Sequence, residues 1–186
     1  MTQAEPGASK RSPSPTEPAP TATAIAPDRG EPTAAPGTRM GKASGEFGKS
    51  PIRHESDAKA RLVGLEADED DGDIEQVTFT FADTKVLPKY NVGYVDVVRA
   101  HPEDDPIAVS GSAFLEVGFK LTNPNTDGRM AVEPDQQPDL PLVREMLLVE
   151  NLGGSLRFAV GLDSDAEFRV RPLESPTRLV VEVRKK

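Results

Sequence analysis

Proline and aromatic residues are distributed so unevenly along this chain that its two parts cannot fold alike. The first 58 residues contain nine of the 18 prolines but a single aromatic residue, Phe47. The other eight aromatic residues all lie between Phe79 and Phe168. A segment so poor in large apolar side chains cannot bury enough surface to offset the entropy lost on ordering. We therefore predict a disordered linker rich in Pro, Ala, Thr and Ser over residues 1–58. The folded domain is expected over residues 59–186, which suffice for one compact core.

Apolar residues in the second part alternate with polar ones at the period of two that is typical of β-strands. The alternation is clearest from Val77 to Phe81 and again from Leu156 to Leu162. The segment Val143–Val149 is apolar at most positions, as expected for a strand that is buried on both faces. Asn151-Leu152-Gly153-Gly154 separates two such segments and predicts a hairpin turn. The pattern predicts an all-β fold, a β-sandwich or flattened barrel of about eight mainly antiparallel strands.

The net charge of −9 lies on the domain, because the linker carries seven basic and seven acidic residues. An acidic domain repels the phosphate backbone, so nucleic acid is not an expected partner. The absence of cysteine excludes disulfides, thiol nucleophiles and Cys-ligated metals. No apolar run approaches the roughly 20 residues that span a bilayer, so no transmembrane segment is expected in this chain. The polar start is unlike a signal peptide, so an exported form is expected to have lost its targeting segment.

Carboxylates and histidines suggest two candidate metal sites, but neither has the required pattern. The acidic run Asp68–Asp73 lacks EF-hand spacing, because Gly72 at loop position six places Ala67 at the first position, where Asp is needed. His54 and His101 are the only histidines, and two isolated imidazoles do not make a typical zinc site. We expect a solvated acidic loop, exposed histidines, no metal and no cofactor.

Two polar segments invite a catalytic interpretation. Ser110-Gly111-Ser112 lacks the G-x-S-x-G pattern of a nucleophile elbow. Asp163, Asp165 and Glu167 could supply the acid and base of a hydrolase, although a polar hairpin loop is the simpler interpretation. We predict no catalytic residues and do not expect the protein to be an enzyme.

Basic residues concentrate in the last strands, although the domain as a whole is acidic. Residues 155–186 carry seven basic and five acidic residues, whereas residues 59–154 carry eight and nineteen. If the apolar residues point inward, alternation places a set of arginines outside. This candidate ligand-binding face comprises Arg157, Arg169, Arg171, Arg178 and Arg184. Arginine suits carboxylates and phosphates, so the face could hold an anionic polymer or an acidic partner. The alternative is an ordinary solvated face on which Glu167 and Glu182 pair across strands.

The series of strand segments resembles a known family. The segments that carry the resemblance are VTFTF at 77–81, YNVGYVD at 90–96, VSGSAFL at 109–115, VRE at 143–145, FAVGLD at 158–163, FRV at 168–170 and PTRLVVEV at 176–183. In this order they resemble the AMIN-like domain of actinobacterial exported proteins and lipoproteins, which is distantly similar to the AMIN domain of cell-wall amidases.

The resemblance implies an extracytoplasmic β-domain that often follows a signal or lipobox and a Pro-rich linker. The chain lacks the lipobox cysteine, which leaves lipid anchoring without support here. The related AMIN domains are β-sandwich targeting modules that bind the wall, and the family supplies no catalytic residues. Arg144, Arg169 and Arg178 match its pattern.

Together these observations predict a non-catalytic binding or targeting module that lies outside the cytoplasm, where it is either part of the cell envelope or secreted. Its expected partner is a cell-wall polymer such as peptidoglycan or an envelope protein, by analogy of fold. The protein is expected to be a monomer. Two alternatives stay open, a carrier of a small apolar ligand inside the sandwich and a carboxylate-dependent hydrolase.

Overall fold

The computed structural model describes residues 44–70, 72–100 and 104–185, and in this part the chain folds into β-strands without a helix. These residues therefore include no helix that could cross a bilayer. Fourteen strands, β1 to β14 in chain order, form two six-stranded sheets and one small hairpin. Eight of the described strands are six residues or longer, and only β3 and β7 pair in parallel. The predicted all-β sandwich of mainly antiparallel strands is confirmed.

The first sheet, sheet A, has the strand order β1-β13-β14-β4-β3-β7. Its strands are β1 (Ser44–Gly48), β13 (Ala166–Leu173), β14 (Thr177–Lys185), β4 (Ile74–Ala82), β3 (Ala60–Glu69) and β7 (Thr122–Asn123). Alternate residues of the central strands, such as Phe79 on β4 and Val181 on β14, are fully buried. The other set, which includes the arginines of β13 and β14, lies on the outer face.

The second sheet, sheet B, has the order β10-β11-β12-β6-β5-β2. Its strands are β10 (Asp135–Gln136), β11 (Val143–Leu152), β12 (Ser155–Leu162), β6 (Ala113–Phe119), β5 (Tyr90–Val95) and β2 (Ile52–His54). The predicted hairpin joins β11 to β12, with Gly153 and Gly154 both at positive φ as a two-residue turn requires. A separate small hairpin pairs β8 (Asn125–Thr126) with β9 (Arg129–Met130).

The core lies between the inner faces of the two sheets, and within it phenylalanine rings from both sheets pack against one another. The ring of Phe79 on sheet A packs edge to face against Phe119 and Phe158 of sheet B, with ring centroids 5.1 and 5.5 Å apart. Phe168 is equally buried and meets Tyr94 across the sandwich. Such aromatic pairs add stabilisation beyond the area that they bury. Because these rings occupy the interior, the packing gives no support to the alternative of an apolar ligand inside the sandwich.

One part of sheet B is covered on its outer face as well. Residues 104–112 lie against β11 and β12, and Val98, Val149 and Ala159 form a second small core there. The backbone crosses so closely that a Cβ on Gly161 would lie 1.9 Å from the carbonyl oxygen of Ser110. This covering explains why β11 is buried on both faces, as its apolar sequence predicts.

The sheets begin before the predicted domain boundary at residue 58. Strand β1 pairs with β13 at the edge of sheet A, and β2 pairs with β5 at the edge of sheet B. His54, expected to be an exposed residue of the linker, is half-buried in β2 and stacks on Tyr90 at 5.1 Å. The folded part therefore includes residues 44–58. The rest of the predicted linker lies outside the described residues.

Candidate functional site

The five arginines predicted to share one face lie on two sheets. Arg157 is on β12 of sheet B, whereas the other four are on β13 and β14 of sheet A. All five alternate with core residues and so point outward, as predicted. Because the sheets pack through their inner faces, however, the outer face of sheet B, which carries Arg157, lies on the opposite side of the sandwich from the outer face of sheet A. The prediction that the five arginines share a single face is therefore wrong, since the chain crosses from sheet B to sheet A between β12 and β13.

Three residues form a charged network on the outer face of sheet A, which we call the Glu182 network. It consists of Arg169, Arg171 and Glu182. Glu182 is only 1% exposed although it lies on an outer face. One of its carboxylate oxygens accepts a hydrogen bond from Nε of Arg169, and the other lies 2.8 Å from Nη2 of Arg171. A carboxylate this deeply buried is stable as an anion only when cations accompany it, so both arginines are committed to it.

The N-terminal strand covers the Glu182 network. The ring of Phe47, on β1, lies 4.3 Å from the guanidinium carbon of Arg169 and 4.2 Å from that of Arg184. These are cation–π distances. Arg184 also donates to the carboxylate of its cross-strand neighbour Glu167 at 2.9 Å. Phe47 therefore shields part of the predicted arginine face.

The remaining two predicted arginines are also integrated in the sheets. Arg157 lies 3.0 Å from Glu116 and 3.2 Å from Glu150, and it donates to the carbonyl oxygen of Arg99. Arg178 is half-buried on β14, opposite Leu173. The cross-strand pairing that the alternative expects is present, since Glu182 pairs with Arg169 and Glu167 with Arg184 across β13 and β14, but the face is not an ordinary solvated one, because Glu182 is buried.

The carboxylates of the hydrolase alternative are likewise engaged with cations. Two nitrogens of Arg144 donate to Asp163, at 3.2 and 2.8 Å, and this hydrogen bonding followed by charge attraction lowers the pKa of Asp163. A carboxyl that is held ionised is unsuited to donating a proton as a general acid. Asp165 pairs with Lys49, and Glu167 with Arg184. The three groups thus support the structure of this end of the domain.

Asp163 also lines a wide, shallow cavity of about 560 Å³. Ser110, Gly111 and Ser112 contribute to the same wall. The hydroxyl of Ser112 donates to the carbonyl oxygen of Asp163 at 2.6 Å, so it is engaged in a structural contact. His101, which the sequence predicts to be an exposed histidine, lies outside the described residues.

The acidic run Asp68–Asp73, which begins in the last two residues of β3 and ends just before β4, forms no metal site in the described part of the chain. Asp70 points towards Arg171, with 3.9 Å between their charged atoms. Asp71 lies outside the described residues. Elsewhere in these residues, no group of three or more histidines and carboxylates has the arrangement that a metal ion needs.

A different cluster of cations surrounds a depression at the edge of sheet B, which we call the basic depression. It has a volume of about 340 Å³ and is lined by Arg53, Glu55, Lys89, Tyr90, Asn91 and Lys120. Its three cations come from β2, from the residue before β5 and from the turn after β6. Burial raises the pKa of the Tyr90 phenol, so this side chain adds no negative charge.

Sequence reasoning does not single out the basic depression, for two reasons. Arg53 and Glu55 lie in the segment expected to be linker, and Lys120 is remote from both in sequence. Only the strand register brings them together, because Arg53 faces Asn91 across β2 and β5, and Asn91 faces Gly118 across β5 and β6. No local pattern carries that information.

Comparison with known proteins places the chain in a family. A family model described as the AMIN-like domain matches residues 67–185, which is more than half of the chain. No curated protein and no solved structure matches the chain. The matched region extends from β3 to the end of β14 and includes most of both sheets. On this evidence the protein belongs to the AMIN-like domain family.

Proposed function

We propose that this protein is a non-catalytic binding module that works outside the cytoplasm and contacts a cell-wall polymer. The observation that carries the proposal is its membership of the AMIN-like family, whose domains are in general cell-wall-associated binding modules without catalytic activity. The engagement of Asp163, Asp165 and Glu167 with cations agrees with a binding role. Contact with an envelope protein is the second candidate partner.

The outer face of sheet A supplies a suitable kind of surface. Polar and charged side chains such as Arg169, Glu182 and Gln76 form a row that crosses β13, β14 and β4. Extended polymers are bound by such surfaces through many contacts that are weak individually. The part that the five sequence-predicted arginines play in binding stays a prediction, and their carboxylate partners favour a structural role.

Sedimentation with purified bacterial sacculi tests the proposal. The full chain is incubated with sacculi at ionic strengths from about 50 to about 500 mM, and bound protein is measured in the pellet. We expect binding that weakens as salt is added, because anionic groups of the wall polymer pair with cations of the protein. Protein centrifuged without sacculi is the control for aggregation, and an unrelated acidic protein of similar size incubated with the same sacculi is the control for non-specific adsorption. No binding above these controls at low salt would contradict the proposal.

Localisation is a separate part of the proposal. We infer that the native protein resides in the envelope or is secreted, and that it acts as a monomer. Fractionation of the native host with an antibody against the domain is expected to place the protein in the envelope or medium fractions. Recovery in the cytoplasmic fraction alone would contradict this.

A further inference from the structure

Two of the three cations of the basic depression, Arg53 and Lys120, lack within the described residues the carboxylate partners that Arg169 and Arg171 have on sheet A. In the described part of the chain, the Arg53 guanidinium has no ion pair, and Nζ of Lys120 donates to the neutral hydroxyl of Ser155. Glu55 is the single carboxylate in the lining, and it lies 2.6 Å from Nζ of Lys89. Three cations and one anion leave a local excess of positive charge on an acidic domain. Such an excess attracts anions.

The backbone fixes the position of the cations relative to one another. The amide of Lys120 donates to the carbonyl of Lys89 at 3.0 Å, which ties two of the three cation-bearing segments together. The next residue, Leu121, has a φ of 54°, a left-handed conformation that is unusual for a bulky residue. Its carbonyl accepts from the amide of Ala60, and the amide of Thr122 donates to the carbonyl of Gly154. The turn that carries Lys120 is therefore held in a strained shape by several segments, as is frequent at binding sites.

A second, more neutral depression adjoins the first. It has a volume of about 170 Å³, shares Arg53 and Asn91 with the basic depression, and continues along β5 to Tyr94 and Glu116. The Asn91 amide lies over Gly118, where a Cβ would come within 2.6 Å of its oxygen. Glycine at position 118 thus makes room for a planar polar group between the two depressions. An amide so placed can donate to and accept from a hydroxyl group of a sugar.

We propose that the basic depression binds one anionic group, a phosphate or a carboxylate, of a cell-wall polymer, and that the adjoining depression takes the neighbouring sugar. This inference rests on the proposed function and names the site and the chemical class of the ligand. Arg53 supplies two parallel donors, which match the geometry of phosphate and carboxylate oxygens. Lys89 and Lys120 line the same depression and supply point charges. The volume is at the lower end of the range for small-ligand sites, so the depression suits one charged unit of a polymer.

A pair of charge-matched double variants tests this inference in the full chain. Arg53→Gln with Lys120→Gln removes two cations from the basic depression. Arg129→Gln with Lys185→Gln removes two exposed cations from β9 and β14, and it changes the net charge of the protein equally. Urea unfolding of each variant checks that the fold is kept. Binding is measured to sacculi that retain their phosphodiester polymers and to sacculi stripped of them with hydrofluoric acid.

We expect the first variant to bind at least about tenfold more weakly than the wild type, and the control variant to bind within about twofold of it. Loss of wild-type binding after stripping identifies phosphate as the anion, and retention identifies a carboxylate of the peptidoglycan. Wild-type binding that both variants keep equally would overturn the inference while leaving the proposed function standing. Absence of wild-type binding to either preparation would overturn both. Addition of inorganic phosphate gives an independent readout, because it is expected to shift the NMR signals of Asn91 in the wild type and in the control variant but not in the variant that lacks Arg53 and Lys120.

Discussion

The Glu182 network and the basic depression are both rich in cations, but they use them differently. In the network, Arg169 and Arg171 share a carboxylate that is 1% exposed, and Phe47 covers one of the two. In the depression, Arg53 has no ion pair within the described residues, and Lys120 bonds to a neutral hydroxyl. The first set of cations is committed to the fold. In the second set, only Lys89 has a carboxylate partner among the described residues.

The comparison shows that a count of arginines is a poor guide to a binding site. Removing one partner from a buried charge pair leaves the other charge without compensation, which is expensive. Such arginines cannot turn towards a ligand without that cost. Cations at the surface without a carboxylate partner incur no such cost. An anionic ligand that approaches them does not have to compete with a carboxylate of the protein. Whether a cation is already paired with a buried carboxylate therefore decides whether it is available to bind a ligand.

The largest effect is expected from neutralising the centre of the Glu182 network. Glu182→Gln leaves two arginines facing a neutral amide in a buried position, and we expect it to lower the free energy of unfolding by about 3 kcal/mol. Urea unfolding followed by fluorescence or circular dichroism measures the change. Glu167→Gln is the control, because Glu167 and its partner Arg184 are more exposed, and about 1 kcal/mol or less is expected. Equal small losses in both variants would show that the network does not hold sheet A.

A smaller loss of stability is expected when the cover of the network is removed. Phe47→Ala deletes the ring that lies over Arg169 and Arg184, and we expect a loss of about 1 kcal/mol. Phe47→Leu keeps an apolar side chain but removes the aromatic ring. Comparison of the two variants therefore separates the cation–π contribution from that of apolar burial. Hydrogen exchange on β13 is expected to increase in the alanine variant, since β1 pairs with that strand. Unchanged stability and exchange would mean that β1 is dispensable for this face.

At the basic depression, a substitution is expected to strengthen binding rather than to lower stability. Glu55→Gln removes its single carboxylate, which is exposed, and releases Lys89 from its ion pair. We expect binding to sacculi to strengthen about twofold, because an exposed pair of this kind is weak, with no measurable change in stability. Glu66→Gln, on the outer face of sheet A, changes the net charge equally and serves as the control. Weaker binding by the Glu55 variant would show that the carboxylate contributes to the ligand site.

The smallest effect concerns the ion pair of Asp163 with Arg144. Because Arg144 lowers the pKa of Asp163 in the folded protein below its ordinary value of 3.8, the pair stabilises the fold above that value. The contribution is lost as the pH falls through the folded pKa. Asp163→Asn is therefore expected to lower stability slightly at neutral pH and to make the acid limb of the stability curve shallower. Urea midpoints measured at a series of pH values check this. Asp139→Asn removes a carboxylate from the same cavity while keeping the pair of Asp163 with Arg144, and it is the control for the loss of one negative charge.

The strand pattern and the outward direction of the arginines follow from the sequence, because alternation is a local property. From Val77 to Phe81 and from Leu156 to Leu162, the apolar residues are those of the core, as predicted. The sheet to which each strand belongs is not local. It depends on pairings such as β14 with β4, which join residues about 100 positions apart. For this reason Arg157 is separated from Arg169 although the two are close in sequence.

The N-terminal strands and the basic depression escape sequence analysis for related reasons. Strands β1 and β2 are short and lie at sheet edges, β1 contains Gly45 and β2 directly follows Pro51, so they lack a recognisable alternation. Their stability comes from partners elsewhere, such as the arginines beneath Phe47. Arg53 and Lys120 meet only through the register of β2, β5 and β6. An isolated sequence contains no signal for such a meeting.

The most direct test of the account measures two single variants for both stability and binding. Arg171→Gln removes a cation that is committed to Glu182, and Arg53→Gln removes one without an ion pair. Urea unfolding and sacculus sedimentation are carried out on each full-length variant under conditions in which both remain folded. The account predicts that Arg171→Gln loses stability and keeps binding, whereas Arg53→Gln keeps stability and loses binding. The reverse pattern, with binding lost in the Arg171 variant and kept in the Arg53 variant, would contradict it.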